Sequence, residues 1–143
     1  MNTRYLWIPL ILAACHKGPG TPPHGFVGKW NLIAVHVAAY DSTGVETSSY
    51  TYTTPPGSYF EFDAQGRWVE SLYPVADTSL GLSGTWSKVT DSTFVLTNPM
   101  ASSSVVCSID TLNSSTFAFS ETRPALFNGT RHGYIGYTFE LIQ

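Results

Sequence analysis

Charge is scarce in this sequence. Only 12% of its 143 residues are Asp, Glu, Lys or Arg, against about 25% in ordinary soluble domains. Seven Lys and Arg against ten Asp and Glu leave a net charge of −3, and no basic run exists. That excludes a nucleic-acid partner, because a polyanion is held by clustered cations that release its counterions. Cysteine is nearly missing as well, with two in the chain, so no framework of disulfides holds the fold. Membrane-length hydrophobic runs are lacking: the apolar stretch from Tyr5 to Ala14 covers about 10 residues, half of the about 20 that a hydrocarbon core demands. Helical periodicity is also missing. No segment repeats apolar residues at i, i+3, i+4 and i+7 between caps, apart from a single turn's worth around Pro124 to Phe127.

What replaces charge is hydroxyl. There are 33 Ser and Thr, and 14% of the chain is aromatic, a composition that suits a pleated, half-buried surface better than a helix. The length predicts one domain.

The start of the chain reads as an address. Met1 to Arg4 is short and polar with one positive charge, and the apolar stretch after it has the length of a signal peptide's core. It runs into Leu12-Ala13-Ala14-Cys15, which resembles the lipobox of bacterial lipoproteins. The resemblance implies cleavage after residue 14, leaving Cys15 as a lipidated first residue carrying diacylglycerol and an N-acyl chain. Two or more acyl chains anchor a protein firmly where one does so only marginally. His16 instead of Asp after the Cys resembles lipoproteins passed on to an outer membrane, which implies a periplasm-facing location. Lys17 to Gly25 holds three Pro and three Gly among polar residues and cannot order itself by burial, so residues 15–25 are read as a tether. The folded domain is expected over 26–143. With Cys15 consumed by lipid, Cys107 has no partner for a disulfide and, alternating with Val105 and Ile109, is read as an inert buried thiol.

From Gly28 onward the pattern is one of strands. In Gly28–Tyr40, period two puts Trp30, Leu32, Ala34 and His36 on one face and Ile33, Val35 and Val37 on the other. Phe60 and Phe62 alternate before a turn at Asp63–Gly66, and Trp68, Glu70 and Leu72 return in phase. Further strands carry Trp86, then Phe94 and Leu96, then Val105 to Ile109, then Phe117 and Phe119, and finally Ile135 to Leu141. Eight strands result, with Val45–Thr53 either a ninth or a decorated loop. Thr53–Gly57 and Arg123–Gly133 read as loops. The expected fold is all-β: an eight-stranded antiparallel up-and-down barrel, which once closed leaves no exposed edge.

Gly28-Lys29-Trp30 resembles the G-x-W signature of lipocalins. The hairpin Tyr59–Trp68 and the segment Gly84-Thr85-Trp86-Ser87 leading to Ser92–Thr97 resemble the strands that follow in small bacterial lipocalin-like domains. The resemblance spans most of 26–143. It implies a barrel closed at one end by Trp30, with an Arg stacked on that ring, for which Arg123 and Arg131 are the candidates.

In such a barrel Trp30, Phe60, Trp68, Trp86, Phe119 and Tyr137 share the inner face. Those rings either fill the core or line a pocket at the open end, with His36, Glu70 or Tyr73 fixing the ligand's polar group. Glu70 carries the most information, because an inward carboxylate is expensive unless paired; a bulge or twist turning it outward is the other possibility. Glu121 is a second carboxylate that could meet it. No two histidines stand at metal-ligand spacing, Gly81-Leu-Ser-Gly84 falls one residue short of a nucleophile elbow, and no catalytic residue, metal or cofactor is expected. Asn113-Ser-Ser115 and Asn128-Gly-Thr130 match the glycosylation triplet but read as turns. The sequence therefore points to a lipid-anchored lipoprotein binding a small apolar or amphipathic molecule. The alternative is a protein-interaction or inhibitor module without a cavity, docking an envelope protein through residues such as Tyr50, Tyr52 and Arg131.

Overall fold

The computed structural model describes residues 25–72, 82–127 and 130–143. The expected signal peptide, Cys15, nearly all of the expected tether and Tyr73 therefore lie outside the described residues. Nine strands form one antiparallel sheet: β1 (Gly28–Asp41), β2 (Glu46–Thr53), β3 (Tyr59–Phe62), β4 (Arg67–Ser71), β5 (Leu82–Lys88), β6 (Thr93–Asn98), β7 (Ser103–Leu112), β8 (Thr116–Phe127) and β9 (Thr130–Ile142). Each strand from β3 to β9 pairs with the next in the chain, and β1 pairs with both β3 and β9, which closes the sheet. The result is an eight-stranded antiparallel barrel with one extra strand, an architecture compatible with a lipocalin-like fold.

The extra strand arises because β2 and β3 lie in series along the same edge of β1. Gly28–Asn31 face β3, and Ala34–Tyr40 face β2. At the changeover the Thr54 amide donates to Ile33 O at 3.0 Å and the Leu32 amide to Ser58 O at 2.9 Å. The Thr54 hydroxyl also donates to Leu32 O. Thr54 and Ser58 are both buried, so the break in the strand is stitched from within. Residues 45–53, left open between strand and loop by the sequence, thus contain a strand, but one with every side chain exposed.

The same place corrects the phase of β1. Against β9, Leu32 pairs with Leu141 and Ala34 with Glu140, a bulge that leaves Ile33 over. One extra residue flips the faces beyond it. Leu32, Val35 and Val37 consequently enter the core, whereas Ile33 is 39% exposed and His36 turns to the outside. The expected continuous face of Trp30, Leu32, Ala34 and His36 holds only as far as Leu32.

The segment Arg123–Gly133, expected to be a loop, is mostly strand: β8 continues through Phe127 and β9 starts at Thr130. No helical turn forms at Pro124–Phe127. Proline is tolerated there because β7 pairs with β8 only as far as Glu121, so Pro124 has a ladder partner, Tyr134, on one side alone. The β1–β2 and β8–β9 hairpins therefore rise above the short β3–β6 wall at one end of the barrel.

The other end is sealed. Gly28 adopts φ +141°, a conformation costly for any residue with a Cβ, and this turn lets Phe26 fold back under the barrel floor. Its ring lies 4.8 Å from those of Trp86 and Phe94 and 5.3 Å from that of Phe117. Trp30 Nε1 donates to Phe26 O at 2.9 Å and Trp86 Nε1 to Asp63 O at 3.1 Å. The tight turns lie here too: Asp63 Oδ1 accepts from the Gln65 and Arg67 amides, and Asn113 Oδ1 from those of Ser115 and Thr116. These bonds give the Asn113 triplet a turn-forming role.

Candidate functional site: a chamber at the open end

Above the aromatic floor the interior does not fill. A chamber of about 490 Å³ opens between β3–β8 and β9, lined by Phe60, Trp68, Glu70, Leu96, Val105, Phe119, Glu121, Arg123 and Phe139 among others. This lies within the range of about 300–1,000 Å³ usual for small-molecule sites. Its floor is a ring stack: Phe60 meets Phe119 edge to face at 5.4 Å, Phe119 stacks on Phe139 at 4.8 Å, and Trp68 lies 6.3 Å from Phe60. Trp68 keeps its place because it pairs with Gly84 across β4–β5. A Cβ on Gly84 would stand 1.9 Å from Thr97 O and 2.8 Å from Trp68 Nε1.

The chamber's polar groups come from β4 and β8. Alternation from Trp68 carries Glu70 inward, where it is 8% exposed; alternation from Phe117 and Phe119 brings Glu121 in at 4%. Arg123, two residues further along the same face, reaches back so that Nη2 is 2.5 Å from Glu121 Oε1. Oε1 is buried, with Arg123 as its partner. The guanidinium also sits over the Tyr137 ring, 5.5 Å from its centre.

Burial dominates the acid–base character of the group. It pushes the Glu70 carboxyl up to about 7, the Glu121 charge adding to the effect and Arg123 opposing it. Burial likewise raises Glu121, against the Arg123 charge. Tyr52, opposite Val35 in the β1–β2 ladder but 40% exposed, is raised by partial burial and then by the charge of Glu70. The Cys107 thiol, wholly buried and pushed up to about 12 by burial and by Glu121, stays protonated, in keeping with the inert thiol expected.

The residues singled out from the sequence divide into three groups. Phe60, Trp68, Glu70 and Phe119 line the chamber together. Trp30 and Trp86 do not: both belong to the sealed end, where Trp30 packs against Phe117 at 5.5 Å and Trp86 against Phe26. His36 is on the outer surface, with Nδ1 2.8 Å from Thr51 Oγ1, in a separate surface groove with Ala38, Tyr40 and Gly136. Tyr137 borders that groove and not the chamber, with its ring beneath the Arg123 guanidinium. Arg123 therefore does not stack on Trp30 as the resemblance implied; β8 carries it to the opposite end. The backbone of Arg131 pairs with Leu126, and its side chain lies outside what the structure describes.

Two contributions escaped the sequence reading. The Arg123–Glu121 pair was legible only as two charges at i and i+2 on a strand, a spacing that shares one face. The second was an orphan donor: Trp68 Nε1 is buried without an acceptor among the described residues. Trp68 and the Arg123–Glu121 pair all belong to this one chamber. Among the described residues no cluster of three or more His, Cys, Asp and Glu is placed to hold a metal. Comparison with protein-family models and with curated proteins returns no match.

Proposed function

We propose that this protein is a lipid-anchored, lipocalin-like binding protein of the bacterial cell envelope that holds a small amphipathic molecule in the chamber at its open end. The observation that carries this reading is the chamber itself: about 490 Å³, lined by aromatic rings below and by Glu70, Glu121 and Arg123 above. Buried polar groups are nearly always satisfied in folded proteins, so the Glu70 carboxyl, buried beside an open volume with no donor among the described residues, supports a site completed by a ligand. Leu72, Leu82 and Met100, all exposed, stand at strand ends and a turn on the same side of the barrel and give its rim an apolar character. The anchor rests on Leu12-Ala13-Ala14-Cys15 and the tether after it, which together leave the barrel free of the bilayer, facing the periplasm from an outer membrane.

Two experiments test it. A thermal-shift panel of fatty acids, fatty amines, quinone-like and haem-like compounds should raise the melting temperature of the full chain for at least one class. Silence across the panel removes the ligand reading. Metabolic labelling with a palmitate analogue should mark the chain and fail on Cys15→Ser; labelling that persists removes the anchor.

One observation favours a second reading. Strand β2 is exposed along its whole length, has a neighbour only on its β1 side among the described residues, and displays Tyr50 and Tyr52 with rings 6.5 Å apart. An unpaired edge with aromatic side chains is a template for a partner strand. Titration with lysozyme and other envelope proteins, compared with a Tyr50→Ala, Tyr52→Ala double variant, separates an inhibitor-like module from a ligand carrier.

A further inference from the structure

The charges around the chamber do not balance, and the imbalance has a sign. Among the described residues that line it, the charged groups are Glu70, Glu121 and Arg123. Arg123 is already engaged: its guanidinium lies on Glu121 and over Tyr137, and its side chain is 57% exposed, so more than half of it faces solvent. Glu70 has no such partner. Burial and the charges of Glu121 and Arg123 act on its carboxyl, and nothing among the described residues donates a hydrogen bond to it, although it is more than nine-tenths buried. A carboxyl withdrawn from water without donors is costly, yet the space beside this one is open.

Each class of occupant meets that carboxyl differently. An anionic headgroup would enter beside two carboxylates, with a single cation that is already paired. A purely apolar occupant would displace the remaining water from Glu70 and supply nothing in return. An ammonium or amidinium would donate to Glu70 while resting against the rings of Trp68, Phe60 and Phe119, whose π faces attract cations most strongly when water is excluded.

Building on the ligand-binding reading above, we propose that the chamber selects a cationic amphiphile, an amine or amidine on a short apolar body, with Glu70 as the residue that receives the charged head. Arg123 then serves as a positioning residue that holds Glu121 in place and leaves Glu70 as the open acceptor.

The experiment uses three probes with one alkyl chain and different heads, octylammonium, octanol and octanoate, titrated calorimetrically into the full chain at pH 8. Octylammonium is expected to bind at least about tenfold more tightly than octanol, equivalent to about 1.4 kcal/mol, with octanoate weakest. In Glu70→Gln the preference should collapse to near unity while octanol binding persists. Octanoate equal to or above octylammonium, or a preference that survives in Glu70→Gln, overturns the assignment and leaves the chamber a ligand site of another kind. Failure of all three probes overturns the ligand site and this inference together. The ranking on the unaltered chain decides the question even if the variant does not fold.

Discussion

The two ends of the barrel are built from the same kind of residue and finished in opposite ways. At the sealed end four aromatic rings surround Phe26, and both indole donors, on Trp30 and Trp86, find backbone acceptors. At the open end the Trp68 donor finds none among the described residues, and of two carboxylates only Glu121 pairs with the single guanidinium. Aromatic content alone therefore does not distinguish core from pocket. What distinguishes them is whether polar atoms attached to the rings and strands are met by the protein itself. One end has completed its hydrogen bonding, and the other has deferred it.

Removing the plug should break the comparison at its strongest point. Phe26→Ala deletes a ring touching four others, and a large-to-small change of this kind costs about 3–5 kcal/mol. Urea unfolding should show a correspondingly lower midpoint, while ligand binding at the far end, measured under native conditions, should be retained. An unaltered midpoint would mean that Phe26 covers the barrel without supporting it.

The second effect belongs to the open end and depends on pH. Glu70 in the fold keeps its proton up to about pH 7, whereas an unfolded Glu releases it near pH 4.5. Between those values the folded state binds more protons than the unfolded, so the stability of the empty barrel is highest below the lower value and falls as pH rises to about 7. The decline amounts to about 3 kcal/mol. Glu121, shifted in the same direction, adds to it; Arg123 opposes it, and Tyr52, raised above its ordinary value, stays neutral across the window. Denaturant melts from pH 4.5 to 8 should show this slope, and Glu70→Gln should flatten it. A slope of the opposite sign would place Glu70 in contact with an unseen donor.

A smaller change sharpens the contrast. Arg123→Ala leaves Glu121 buried without a counter-charge. The penalty for an unpaired buried charge is discounted here because the lost cation was more than half exposed, leaving about 2 kcal/mol at pH 8. It should shrink on acidification as Glu121 takes up a proton. A loss independent of pH would instead trace to packing against Tyr137.

Much of this was readable before any coordinates. Alternation around Phe60, Phe62, Trp68 and Glu70 predicts both the hairpin and the inward carboxylate, because a strand's side chains have a period of two whether or not its neighbours are known. His36 was misplaced by the same rule: the bulge at Ile33 inserts a residue that the pattern itself does not mark. The strand through Pro124 was hidden because proline reads as a breaker, and only its position beyond the last rung of β7 makes it tolerable. The division of the rings into floor and pocket was illegible for a related reason, since Trp30, Trp68 and Trp86 look alike along the chain.

The sequence by itself determined that this chain forms strands, that they share an aromatic face and that Glu70 points along it, since those properties follow from local chain geometry and hydropathy. Tertiary structure alone decided which end is sealed, where the chamber lies and that Arg123 serves Glu121 rather than Trp30. Those outcomes depend on strand length, on a one-residue bulge and on which polar atoms meet across the barrel, and these are fixed only when distant segments come together.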